Sequence, residues 1–322
     1  MKTTAQKLLI TIPAVILTLV AVTLCTVAYL CEYNSETGFF ADSTLSAVSA
    51  WIVAGVSALL LLPLAAKGKA SERRVSFRGP LTYLPAGVLA TTLVLLAVDL
   101  LGYAKSSLGT IFTRELLTRF DCLTALLISI LAICAVGYCI TLALIPTVRC
   151  NLRAYLGMLA SLCFAVCTIH LFFRADTPIN NPAKVADEMA FLAGALFMLS
   201  DVRLSLGRAR WNDYFVFASV SAVLCGYASL PALITYVFAG EVISVGIQTS
   251  LLLFALTVFS TMRLIGVSRF DKDRPSPFVT AIDSDALAAE AKEEPEVKEE
   301  ARPEPPQISI DDIDEPERQG EE

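Results

Sequence analysis

Asp201 and Arg203 stand inside FLAGALFMLSDVRLSLGRAR, residues 191 to 210, where an apolar run should continue to the basic cluster that closes it. A carboxylate in hydrocarbon is costly, so such a residue marks a functional or clamping site and needs a partner. With the run entering near Met189, a rise of ~1.5 Å per residue puts Asp201 roughly 18 Å deep. Arg203 reaches the boundary by extending its side chain, whereas the short Asp201 side chain does not. Residues two apart point to different sides of a helix, so these two do not neutralise each other. Arg263, in STMRLIGVSRF, interrupts another apolar run ahead of the boundary cation Arg269. The expectation is an Asp201–Arg263 pair holding two helices together at their inner ends.

Asp99 in LLAVDLLGYAK and His170 in CTIHLFFR form a second candidate pair, each a few residues from the outer end of its run. Facing one cavity, the carboxylate would hold a protonated imidazole or relay a proton. Otherwise each side chain makes an interhelical hydrogen bond or reaches for the interface. Gln248 reads as packing between helices. CGYASLPALITY combines Gly226 with Pro231, which removes a backbone hydrogen bond and should kink or break its helix. Transporters build mid-membrane sites from such breaks, but most prolines in membrane helices are tolerated kinks.

The rest of the chemical inventory is mostly exclusion. One histidine rules out H-E-x-x-H chemistry and multi-histidine metal clusters, and there is no phosphate-binding glycine loop or G-x-S-x-G elbow. No catalytic residue, cofactor or metal ligand is expected, and the chain reads as non-enzymatic. Nine cysteines include no C-x-x-C. Cys163 and Cys167, one turn apart, read as small packing residues. Cys31 and Cys122 both fall at the outer face and leave a disulfide open, which geometry decides.

The elements that position these residues are membrane spans. The chain has 322 residues, 55% hydrophobic, with mean hydropathy +0.64. Apolar blocks lie near 8–30, 44–66, 81–104, 122–146, 156–173, 187–207, 213–239 and 242–265. Each is long enough to cross a ~30 Å hydrocarbon core, where backbone groups must be satisfied within a helix. The first block exceeds a signal peptide in length and lacks a cleavage site, so it reads as a retained helix. The fold expected is all-α, a polytopic transmembrane helix bundle of about eight spans. Lys and Arg crowd the even-numbered connections and the region after the last block, and the first connection has none, which places both termini in the cytoplasm. In the third connection, Leu108, Ile111, Phe112, Leu116 and Phe120 recur at helical spacing between Lys105, Arg114 and Arg119. That pattern predicts a separate amphipathic helix on the outer leaflet. Eight spans also divide into two four-span halves, which leaves a parallel duplication open.

Composition divides the chain into a transmembrane domain, 1–270, and a tail, 271–322. The tail carries 18 acids against 6 bases, a net charge of −12. Such a segment cannot bury enough apolar surface to offset its ordering entropy, so a disordered acidic cytoplasmic tail is expected. It is either solvated and partnerless or an interaction arm, with Ile308, Ile310 and Ile313 as apolar anchors among carboxylates. Its charge excludes nucleic acid and an anionic leaflet, and a partner would be a basic cytosolic protein surface.

NPAKVADEMAFLAGALFMLSDVRLSLGR, with the outer ETGFF, is similar to the phrasing of multi-pass membrane proteins of clostridial-type bacteria. The resemblance covers most of the membrane part and not the tail. It implies a bacterial cytoplasmic membrane and carries no activity across. Two functions stay open. One is a non-enzymatic membrane protein whose tail recruits or tethers a partner. The other is a small-solute or ion transporter using Asp99, His170 and the seventh helix. Oligomeric state is not legible.

Overall fold

The computed structural model describes residues 4–34, 37–62, 74–77, 80–108, 116–144, 151–174, 178, 180–206, 211–243, 246–268 and 279–282. Among them are eight α-helices: α1 (Thr4–Cys31), α2 (Thr44–Leu61), α3 (Pro80–Leu108), α4 (Leu116–Leu144), α5 (Asn151–Phe173), α6 (Pro182–Ser205), α7 (Trp211–Ala239) and α8 (Ile247–Ser268). Seven are long and apolar enough to cross a membrane; α6 is not apolar enough. At ~1.5 Å per residue its 24 residues still extend ~36 Å, more than the hydrocarbon core. Apolar side chains that water would not tolerate face outward along the bundle, Val98 at 64% exposure and Ile133 at 60% among them. The chain is an all-α, polytopic membrane bundle.

Helices α3 to α8 form a ring. Each packs on the next, and α8 closes back on α3, while α6 also touches α8 across the interior. The main core fills this ring, with Phe164, Phe191, Phe197 and Phe259 among its largest members. Outside it, α1 packs on α2 and α7, and α2 on α7. The contacts therefore divide the helices into two plus six, not into the four-plus-four halves left open by the sequence. Hydroxyls inside spans mostly bond their own helix, as Thr26 does to the Val22 carbonyl (2.8 Å) and Ser229 to that of Cys225 (2.6 Å). A few cross between helices: Ser161 donates to the Ala195 carbonyl (2.7 Å), and Ser49 Oγ meets the Tyr227 hydroxyl (2.9 Å).

The helices alternate in direction. Side chains near the ends of α4, α6 and α8 meet the start of α7 at one face of the bundle, labelled the inner end after the orientation expected from the sequence. The ends of α3 and α5 meet the start of α4 at the other, the outer end. The beginning of α1 and the finish of α8 thus share the inner end. Two short ladders fit this order. Strands β1 (Tyr33–Asn34) and β2 (Phe39–Phe40) make an antiparallel outer hairpin. At its turn Gly38 has φ +74°, and a Cβ there would lie 2.8 Å from Asn181 Nδ2, so only glycine suits both the turn and the approach. Strands β3 (Arg74–Phe77), between α2 and α3, and β4 (Val279–Ile282), after α8, pair antiparallel with Val75 opposite Ala281.

Three sequence expectations are corrected. The separate amphipathic helix is not formed by the described residues: Leu108 ends α3, and Leu116 and Phe120 open α4. Its periodicity belongs to two spans running past their hydrocarbon segments, with 109–115 outside the described residues. Helix α6 begins at Pro182, five residues ahead of the apolar block expected from 187, so Lys184 is helical along with Asp187 and Glu188. Of the kink or break expected at Pro231, the break is excluded, since α7 is helical throughout Trp211–Ala239. The tail's expected disorder lies outside the described residues, apart from 279–282, which are paired.

The β3–β4 register gives a test of helix parity. A Val75→Cys/Ala281→Cys pair should cross-link readily under mild oxidation, read as two proteolytic fragments that separate only after reduction. A Thr37→Cys/Ala281→Cys pair, drawn from opposite ends of the bundle, should not.

Candidate functional site

At the inner end, Asp201 sits four residues before the finish of α6 and is 3% exposed, while Arg203 on another side of the helix is exposed. Its carboxylate collects three partners from three helices. Tyr138 of α4 donates its hydroxyl to Oδ2 (2.6 Å), Tyr214 of α7 donates to Oδ1 (2.9 Å), and Arg263 Nη2 of α8 approaches Oδ2 at 3.4 Å. Arg263 is 2% exposed and its guanidinium carbon lies 5.1 Å from the centre of the Phe259 ring. Nearby Arg153 of α5, also buried, donates to the Thr141 carbonyl (2.7 Å). The structure thus brings Asp201 and Arg263 together and adds two tyrosines that the charge pattern did not point to. A buried ion pair is tolerable only when further hydrogen bonds satisfy its remaining lone pairs, and the tyrosines do that. Gly157 on α5 makes room for the cluster: a Cβ there would collide with Val202 and lie 2.8 Å from Tyr138 Cε2.

At the outer end, His170 near the finish of α5 is 7% exposed. Its Nδ1 lies 2.8 Å from Thr124 Oγ1 and 3.1 Å from Asp121 Oδ1, both on α4. Tyr103 of α3 donates to the other Asp121 oxygen at 2.7 Å, and Oδ1 has no hydrogen-bond partner. Asp121 is thus within ion-pair distance of His170, whose Nδ1 makes its hydrogen bond to Thr124. Asp99 is exposed on α3, yet it meets His170 at a cavity of about 150 Å³ inside the ring. Arg174, Gln248, Thr249 and Cys167 also line it. Gln248 is thus a cavity residue as well as a packing one. Beside the cavity, Lys184 of α6 is buried and donates to the Arg174 carbonyl (2.9 Å). Asn181 caps α6, accepting from the backbone N–H of Ala183 (2.8 Å) with Pro182 in the first turn.

The other sequence candidates carry no chemistry here. Cys31 is exposed, Cys122 is buried with its thiol toward the Ala104 carbonyl (3.8 Å), and the two are not bonded to each other. Among the described residues no group of three or more metal-ligating side chains converges. No protein-family model, curated protein or solved structure matches this chain.

The signals that were missed are readable in retrospect. A tyrosine within an apolar run needs a partner for its hydroxyl, which should have drawn Tyr138 and Tyr214 into the Asp201 argument. Asp121 stands one residue ahead of the apolar block at 122–146, outside the span that its sequence suggests.

The inner cluster predicts an asymmetric stability pattern. Asp201→Leu deprives the buried Arg263 of its carboxylate and should cost ~3–5 kcal/mol, while Asp201→Leu/Arg263→Met should recover most of that loss. Tyr214→Phe removes one donor to a charged acceptor, worth ~1.5–3 kcal/mol. Thermal unfolding of the purified chain in detergent reads all three. An equal loss in the single and double Asp201 variants would contradict the pairing.

Proposed function

We propose that this protein is a non-enzymatic transporter of a small polar solute or ion in a bacterial cytoplasmic membrane, with both termini cytoplasmic. One observation carries the reading: the cavity within the six-helix ring that gathers Asp99, His170, Arg174 and Gln248 near one end of the bundle. At roughly 30 Å³ per water, its 150 Å³ holds a few waters or a solute of similar size. Carboxylate, imidazole, guanidinium and amide together offer donors and acceptors to a small charged or zwitterionic molecule. Histidine is the side chain whose charge changes most readily near neutral pH, and His170 between Asp121 and the cavity is placed to take up and release a proton.

Below the cavity the ring is filled by packed side chains, and beyond them the Asp201 cluster ties α4, α6, α7 and α8 at the inner end. Passage would require those helices to separate, which makes the cluster a candidate gate. The even number of helices and the cations of the inner connections support the orientation. The alternative, recruitment of a basic cytosolic partner, rests on the tail's charge of −12.

Liposomes holding the purified chain and an internal pH-sensitive dye, swept with small amine, carboxylate and amino-acid solutes, test the choice. At least one solute should drive proton movement that His170→Gln and Asp99→Asn abolish, and deletion of 275–322 should leave it nearly intact. If no solute moves protons and only the tail deletion impairs the cell, the transporter reading is wrong.

A further inference from the structure

A second, larger cavity lies outside the ring and is independent of the proposed transport site. It is a groove of about 850 Å³ between α2 and α6, floored by α7 and closed at one side by α1. Its volume falls within the ~300–1,000 Å³ of ligand pockets. Small residues make the room: Ala47, Ala54 and Ala58 on α2 face Ala186 and Ala193 on α6. The three on α2 are exposed, so the groove opens sideways into what is lipid in the bilayer. On α6 the lining runs from Pro182 to Leu196 and on α2 from Ser43 to Leu61. At ~1.5 Å per residue these are ~21 and ~27 Å, longer than the ~15 Å of one leaflet's hydrocarbon. A long alkyl chain fits such a slot; a compact solute does not.

The outer mouth has a different character. Asp187 lines it and is 1% exposed, and the Tyr227 hydroxyl lies beside it, bonded to Ser49. Around the rim, Asp42 adjoins the lining residue Ser43, and Glu241 stands two positions from the lining residue Ile243; both acids are exposed. Bonds from the Thr44 backbone and hydroxyl hold the Asp42 carboxyl below its ordinary range, so it is charged at neutral pH. Lys184, one turn before Asp187, donates its ammonium to the Arg174 carbonyl. The mouth is thus anionic, and in a low-dielectric setting such a field favours a cationic group and repels an anionic one.

We infer that the groove binds one acyl chain of a bilayer phospholipid whose headgroup carries an ammonium, drawn to the exposed acids Asp42 and Glu241 at the mouth. The bound lipid would fill the space between α2 and α6 and tie the outer helix pair to the ring.

The test uses the full chain in nanodiscs containing two phospholipids with the same photoreactive acyl chain, one with an ethanolamine headgroup and one with a glycerol headgroup. After illumination, adducts are mapped by mass spectrometry. Adducts should concentrate on α2 between Ala47 and Ala58 and on α6 between Ala186 and Leu196, several-fold more with the ethanolamine lipid. Ala54→Phe/Ala58→Phe, placed on exposed positions, should remove them while labelling near Val98 and Ile133 on the outer face stays unchanged. Labelling spread evenly over all lipid-facing helices would overturn the site. Equal yields from the two lipids would overturn the headgroup assignment. Cross-links between two copies of the chain across the groove would overturn the lipid in favour of a dimer.

Discussion

Hydrocarbon offers no hydrogen bonds, so each polar group that a span carries into it must be satisfied by the protein itself. Helix α6 is where this constraint acts most strongly. It contains Lys184, Asp187, Glu188, Asp201 and Arg203, and these charges keep it out of the seven helices apolar enough to span. It is also the most enclosed, lying between α5 and α7 and touching α8, with Lys184, Asp187 and Asp201 all buried. Its neighbours in the ring cover its charged positions. The same logic places Tyr138 and Tyr214 on the helices facing Asp201, and Arg263 on the helix across the interior.

The polar groups are segregated by depth. Asp201 and Arg263 with their tyrosines occupy the inner end, and His170, Asp121, Asp99 and Arg174 occupy the outer end. Between them the interior is aromatic and aliphatic, with Phe191 and Phe197 buried on α6 and Phe164 and Phe259 facing them. Under the transport proposal, such an arrangement would be open to exchange at one end and locked at the other. The lock is of a kind that opens at a cost, because separating a buried pair exposes both charges. The outer pair, α1 and α2, takes no part in this interior. It leaves a lateral groove whose lining is almost all apolar and whose mouth is acidic.

Much of this was legible in the residues. Apolar blocks gave the helices, and the alternation of basic connections gave an even count that the β3–β4 pairing matches. The Asp201–Arg263 juxtaposition followed from depth alone, because a short acid that cannot reach water must find a base on another helix. Boundaries were less legible where polarity misled: the charges in NNPAKVADEMAF looked like loop, although Asn181 followed by Pro182 is a helix-start signal. Asp99 and His170 do line one cavity, but depth alone does not point to Asp121, which lies within ion-pair distance of His170 only because of which side of α4 faces α5. The closure of α8 on α3, and the groove, arise from tertiary packing and leave no local trace.

The central claim is that α6 crosses the membrane in spite of its charges, because the ring supplies what lipid cannot. Single cysteines at Asn180 and Leu206, introduced into a chain with the native cysteines replaced, can be labelled with a membrane-impermeant maleimide in sealed vesicles of known orientation. The account predicts that the two positions label from opposite sides. Labelling of both from the same side would contradict it, and with it the eight-crossing bundle and both proposed sites.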